Sequence, residues 1–188
     1  FNEPLYFDKK ERSKEDVFEY VNDWQRMVRK YAPFHMSTIG LEGIREVFEW
    51  DPNILNVDFI SYHPYEHEKE QVRNEIYWYS KYTDKPWIIG ETGWYTSDLN
   101  ESDGITSQKT FVNKTLQQAF SCNASGFSWW QFKDVSWKDL KNHSDLMGLV
   151  TKDGIVYSSK SNFPIVGTVK NSVEVFQSFN PNTLKSDC

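Results

Sequence analysis

Glu91 closes the apolar run Trp87-Ile88-Ile89-Gly90, and the chain then turns at Thr92-Gly93-Trp94. An unpaired carboxylate beside a core costs several kcal/mol unless it is satisfied or used. A buried strand ending in Gly-Glu therefore points to chemistry at the acid. Three other segments carry polar or aromatic groups in comparable places. Asn2-Glu3-Pro4 offers a second carboxylate. The run Val57–Tyr62 leads into His63-Pro64-Tyr65, and Gly126-Phe127-Ser128 leads into Trp129-Trp130. Each has a plainer reading. Asn-Glu-Pro can start a loop, and His63 with Tyr65 can form a core corner. Alternation turns one of Trp129 and Trp130 into packing and leaves the other, assigned here as Trp130, for a site. Glu42 reads equally as a site residue or a solvated acid. His35, His67 and His143 have no partner pattern, and the acidic run 66–70 reads as a solvated helix start.

These groups need elements to hold them. Ser13-Lys14-Glu15-Asp16 resembles a capping box with the shorter acid in its last place. Val17, Val21, Trp24, Val28 and Tyr31 then recur at helical spacing, which predicts a helix over 14–31. A short buried strand is expected at 34–39, and 41–50 is a short helix or an ordered loop. A second strand is expected at 57–62, a helix at 67–82 and a third strand at 86–91. A polar loop over 92–104 precedes a helix at 107–121, capped near Thr106 or Ser107, and a fourth strand follows at 125–132. Beyond it come a polar loop at 133–145, a hairpin over 147–157 turning at Asp153-Gly154, and a helix near 171–178. The tail from Asn180 is expected to fray. Strand starts about 23 to 39 residues apart suit βα units and a parallel sheet with helices outside. Chemistry in such folds gathers at the C-terminal ends of the strands.

The bulk composition bounds the reading. The 188 residues suffice for one domain with a core, and 38% apolar with 26% charged residues is a globular balance. Aromatics reach 16%, with 8 Trp, 10 Tyr and 13 Phe. Part of that is core, and an excess of Trp suits stacking on the flat apolar faces of sugar rings. The net charge of −6, without a basic stretch, argues against nucleic acid. No window is apolar and long enough to span a bilayer, and Phe1-Asn2-Glu3 does not open as a signal peptide. Cys122 and Cys188 are too few for a disulfide scaffold; they form one bridge or remain two thiols. Asn-x-Ser/Thr sequons occur at Asn100, Asn113, Asn123 and Asn142.

Taken in order, "NEP" at 2–4, "ISYHPY" at 60–65, "IIGETGW" at 88–94 and "GFSWW" at 126–130 resemble the clan A glycoside hydrolases, the retaining enzymes built on (β/α)8 barrels. The segment "HMSTIGLEG" is similar to the fifth-strand region of β-mannanases. The resemblance implies an α/β fold, a partial (β/α)8 TIM barrel holding strands five to eight with the tip of strand four, as one domain over 1–188. It implies that Glu91 is the nucleophile and Glu3 the acid/base. Asn2 would bind the sugar 2-hydroxyl, Tyr65 would hold the nucleophile ionised, and His63 would line the site. Trp130 would floor a sugar subsite, helped by Trp129 or Trp94.

The implied activity is retaining hydrolysis of a β-linked polysaccharide or oligosaccharide, with mannan or glucan as first substrates and no metal or organic cofactor. A barrel of this kind takes about 250 residues or more, so the chain reads as the C-terminal half of a longer enzyme and as inactive alone. Unpaired edges on strands five and eight point to a homodimer or to association with the missing N-terminal half. A secreted, periplasmic or cell-surface location goes with such enzymes. The alternative is a non-catalytic sugar-binding or structural half-barrel.

Overall fold

A computed structural model describes residues 2–3, 13–65, 69–96, 101–135, 146–152, 155–157, 164–185 and 188. The chain divides into two units. The first holds Phe1–Glu91, Gln118–Ser128 and Lys185–Cys188; the second holds Thr92–Gln117 and Trp129–Leu184.

In the first unit, helix α1 (Lys14–Tyr31) starts at the capping box. Ser13 Oγ accepts from the Asp16 amide at 3.1 Å, and Asp16 Oδ2 accepts from the Ser13 amide at 3.3 Å. Aspartate thus replaces the usual Glu and still closes both bonds. Val17, Val21 and Gln25 form its buried face. Four strands follow: β1 (Gly40–Glu42), β2 (Ile60–His63), β3 (Trp87–Ile89) and β4 (Gly126–Phe127). They pair in parallel and in chain order, with Gly40 opposite Ser61, Ile60 opposite Trp87 and Ile88 opposite Gly126. Helices α2 (Gly43–Trp50) and α3 (Lys69–Tyr82) connect β1 to β2 and β2 to β3; between β3 and β4 the chain runs through α4 (Glu101–Ser121), most of which belongs to the second unit. Every residue of β2 is buried, as expected of a strand covered on both faces. Tyr62 stacks on Tyr79 of α3 with ring centroids 3.8 Å apart, among buried Leu41, Ile60, Ile76 and Ile89. Such a sheet with helical crossovers is an α/β architecture, part of a (β/α)8 barrel, with β1 to β4 in the places expected for strands five to eight.

Several boundaries differ from expectation. The strand expected at 34–39 lies at Gly40–Glu42. Phe34 is 98% exposed and Met36 is 75% exposed, so these apolar letters serve no core; 33–34 is a turn, closed by His35 N donating to Ala32 O at 3.0 Å. The 41–50 segment resolves into α2 from Gly43. Helix α4 starts at Glu101 rather than at 106 or 107. The fourth strand is only two residues long. Cys122 and Cys188 are joined by a disulfide across 66 residues, with Cα atoms 4.6 Å apart. The last residue is therefore tied down rather than frayed.

In the second unit, β5 (Ile155–Tyr157) and β6 (Pro164–Val166) pair antiparallel, and α5 (Ser172–Ser178) follows. The expected 147–157 hairpin does not form in that register. Val150 bridges to Lys133 and Val169 instead, while Ile155–Tyr157 takes 164–166 as its partner. The expected turn at Asp153-Gly154 lies outside the described residues, as do residues 136–145 of the expected 133–145 loop and residues 4–12. Buried Lys170 ties this unit together. Its Nζ donates to Asp134 Oδ1 at 2.8 Å, Thr96 Oγ1 at 3.0 Å and Leu146 O at 3.1 Å. Gln108 Nε2 donates to Trp94 O at 2.8 Å, and Ser172 Oγ donates to Gln108 Oε1 at 2.7 Å.

Candidate active site

The site is built on the C-terminal ends of the strands. Ser61 and His63 share one face of β2, because strand side chains alternate with period two. The imidazole of His63 has glycine on the strand to either side. A Cβ added at Gly40 would stand 2.5 Å from His63 Cε1. One added at Gly90 would stand 1.9 Å from Ser61 Oγ and 2.9 Å from His63 Nε2. Both glycines are there for room: any side chain would evict the ring.

His63 reaches both carboxylates. Its Nδ1 lies 2.7 Å from Glu3 Oε1 and 3.9 Å from Glu91 Oε1, and its Nε2 lies 3.1 Å from Ser61 Oγ. One ring nitrogen thus faces acid groups and the other a hydroxyl that can donate or accept, and the tautomer decides which ring nitrogen donates. Glu3 is buried and holds a positive φ of 41°, a sparsely populated conformation for a non-glycine residue. Tyr65 Oη donates to Glu91 Oε2 at 3.2 Å. One oxygen from each of Glu3 and Glu91 and one nitrogen of His63 all fall within 4.8 Å of one another. That trio is also a donor set able to hold a divalent cation.

Burial pushes the Glu91 carboxyl above the usual range; His63 pulls it back, Glu3 adds to the rise, and the Tyr65 hydrogen bond lowers it. Burial and the Glu91 charge keep the Tyr65 phenol protonated, so it remains a donor. Asn2 is exposed beside buried Glu3.

In the second unit, Trp94 stacks on Phe111 of α4 at 5.1 Å and on Tyr95 at 5.5 Å. Trp129 lies edge-on to Phe111 and Phe176, and its indole N–H donates to Met147 O at 2.8 Å. Trp130 is 44% exposed. Its amide donates to Thr92 O at 2.8 Å, and the Trp130–Gln131 peptide is cis. A Cβ on Gly93 would meet Trp130 O at 2.4 Å, so glycine is required where these loops cross.

Two residues of the site escaped the sequence reading. Ser61 was detectable, since it stands two residues before His63 on the same strand face. Glu46, one helical turn after Glu42, accepts from the Glu42 amide at 2.7 Å. Burial, with the Glu42, Glu3 and Glu49 charges, pushes its carboxyl up to about 7 against that amide bond. Nothing in an i, i+4 acidic pair announces that proximity to Glu3.

No family model matches the chain, and no curated protein matches it in sequence. Solved structures do match. A GH5_18 protein of Bifidobacterium longum subsp. longum, in complex with Manβ1-4GlcNAc, aligns with 99% of this chain and 46% of its own, at 14% identity and a TM-score of 0.64. The GH53 catalytic domain of Ignisphaera aggregans aligns with 90% of this chain and 54% of its own, at 16% identity and a TM-score of 0.58. A β-glucuronidase of Bacteroides uniformis aligns with 73% of this chain and 18% of its own, at 16% identity and a TM-score of 0.57. The chain thus spans about half the length of the first two and less than a fifth of the third. The fold they share with it is the (β/α)8 barrel, present here in part.

Proposed function

We propose that the chain is the C-terminal half of a retaining β-glycoside hydrolase, with Glu91 as nucleophile and Glu3 as general acid/base. The observation that carries this reading is the convergence of Glu3 and Glu91 on His63, with oxygens of the two acids within 4.8 Å. Retaining hydrolysis uses carboxyl groups about 5–5.5 Å apart, whereas an inverting pair stands about 6.5–9.5 Å apart to admit a water. The short separation favours retention.

In this mechanism Glu91 attacks the anomeric carbon as Glu3 gives its proton to the glycosidic oxygen. The bond from carbon to that oxygen breaks, and a glycosyl ester forms on Glu91. Glu3, now a carboxylate, takes a proton from water, which attacks the same carbon and frees Glu91. The two acids need different proton affinities. Glu91 must be ionised although burial opposes it, and the Tyr65 hydroxyl with His63 favours the charged form. Charge moves from Glu91 to Glu3 across the cycle, and the His63 ring, hydrogen-bonded to Glu3, holds that carboxyl in place. Asn2 binds the sugar 2-hydroxyl, and Trp130 offers an exposed ring face to the sugar. The substrate is a β-linked glycan, with mannan or glucan as first tests, and the enzyme works outside the cytoplasm. The N-terminal half of the barrel, or a second copy, covers the edges of β1 and β4.

The test is expression of the complete reading frame and assay against a panel of β-glycans, with Glu91→Gln as control. Hydrolysis by the wild type and its loss in the variant are expected. No hydrolysis of any β-glycan would favour a non-catalytic half-barrel, and full activity in the variant would remove Glu91 from the mechanism.

A further inference from the structure

We propose that Asn113, on the outer face of α4, is an N-glycosylation site. The inference is independent of the hydrolase reading. It starts from two residues that the fold does not call for. Asn113 is exposed in a helix, where Asn is a weak former and Glu, Gln or Lys would serve better. Thr115 is buried to 1% exposure, and among the described residues its hydroxyl has no hydrogen-bond partner. Valine fills the same shape without a polar atom to desolvate. Taken singly, each residue is a poor choice for its place in α4. Taken as Asn113-Lys114-Thr115, they are the acceptor sequence for an N-linked glycan.

The remaining sequons sharpen the argument. Asn123 also begins one, Asn123-Ala124-Ser125, but there the fold accounts for the residue. It follows α4 with φ 68°, in the left-handed conformation that Asn tolerates and that commonly ends a helix. Asn100 and Asn142 lie outside the described residues. Asn113 makes a local contact through its carbonyl oxygen, which accepts from Gln117 Nε2 at 3.0 Å. An exposed i, i+4 pair of that kind adds little, and it does not use the amide nitrogen a glycan would occupy.

Two features fit the modification. Nine residues further along, Cys122 is bonded to Cys188. Disulfides persist in oxidising compartments, which include the lumen where N-glycans are added. Beside Asn113, an open groove lined by Lys109, Thr110, Lys114, Val175 and Ser178 leaves space for the first sugar against α5. In the transfer, the Asn113 amide nitrogen bonds to the anomeric carbon of a lipid-pyrophosphate-linked oligosaccharide. The bond from that carbon to the pyrophosphate oxygen breaks, the amide nitrogen gives up one proton, and the lipid pyrophosphate leaves.

The complete reading frame, secreted from cultured mammalian cells, is treated with peptide N-glycosidase in heavy-oxygen water, and peptide mass spectrometry reads each sequon. Asn113 should appear as labelled Asp. Asn113→Gln and Thr115→Val should each lose one glycan in mass, while Thr115→Ser should keep it. In protein made in bacteria, without glycans, Thr115→Val should melt at a higher temperature than the wild type. An unmodified Asn113 peptide in the secreted protein overturns the proposal. So does retention of the glycan mass in Asn113→Gln, which would place the modification on another sequon.

Discussion

His63 Nδ1 lies 2.7 Å from Glu3 Oε1, so the second strand of the sheet holds an acid 60 positions earlier in the chain. If that bond sets the proton and the position of the acid/base, His63→Ala should lower kcat of the complete enzyme more than it raises KM. A hydrogen bond to a charged group is worth about 1.5–3 kcal/mol, or roughly ten to one hundred fold in rate. Steady-state kinetics on the complete enzyme reads the split. An unchanged kcat would make His63 a core residue only.

Tyr65 donates to Glu91 and so favours its charged form. Tyr65→Phe removes that donor, and the Glu91 carboxyl should rise further. The nucleophile is active only when ionised, so the acid limb of the kcat/KM profile should move to higher pH. A limb that stays in place would mean that Tyr65 does not act on Glu91.

Burial pushes the Glu46 carboxyl from the ordinary value of about 4.5 up to about 7. Between those two values the folded chain holds a proton that the unfolded chain has lost. Stability contributed by this group is therefore complete below about pH 4.5 and is lost as pH rises through about 7. Glu46→Gln should flatten that part of the stability–pH curve and stabilise the protein at pH 8. Glu46 is partly solvated, so the gain should be about 1–2 kcal/mol. Denaturant titration at several pH values measures it, and a variant with an unaltered slope would remove Glu46 as the cause.

Gly90→Ala puts a methyl group where Ser61 Oγ and the His63 ring already stand. Overpacking of this kind costs about 1–3 kcal/mol or more. The expected result is a lower melting temperature together with loss of the His63–Glu3 geometry. A variant as stable as the parent would show that His63 is not seated between Gly40 and Gly90.

Part of this was legible in the sequence. The α1 boundaries follow from the Ser13–Asp16 cap and the apolar spacing after it, which are local signals. Glu91 stood out because an acid closes an apolar strand, and His63 because polar groups follow "FISY". The first strand was misplaced because Phe34 and Met36 have the letters of a core and the exposure of a surface; periodicity reads letters only. Pairing of Ile155–Tyr157 with 164–166 rather than with 147–150 depends on contacts between segments, which no local pattern carries. Glu46 was missed for the same reason: its burial and its nearness to Glu3 exist only once β1 and α2 are folded.

The most direct measurement is covalent trapping. The complete enzyme is incubated with a 2-deoxy-2-fluoro β-glycoside bearing an activated leaving group, then digested and read by mass spectrometry. One label on the peptide containing Glu91, reduced or absent in Glu91→Gln, is the predicted result. A label on another carboxylate, or turnover with inverted anomeric configuration and no label, would contradict the assignment of Glu91 as the nucleophile.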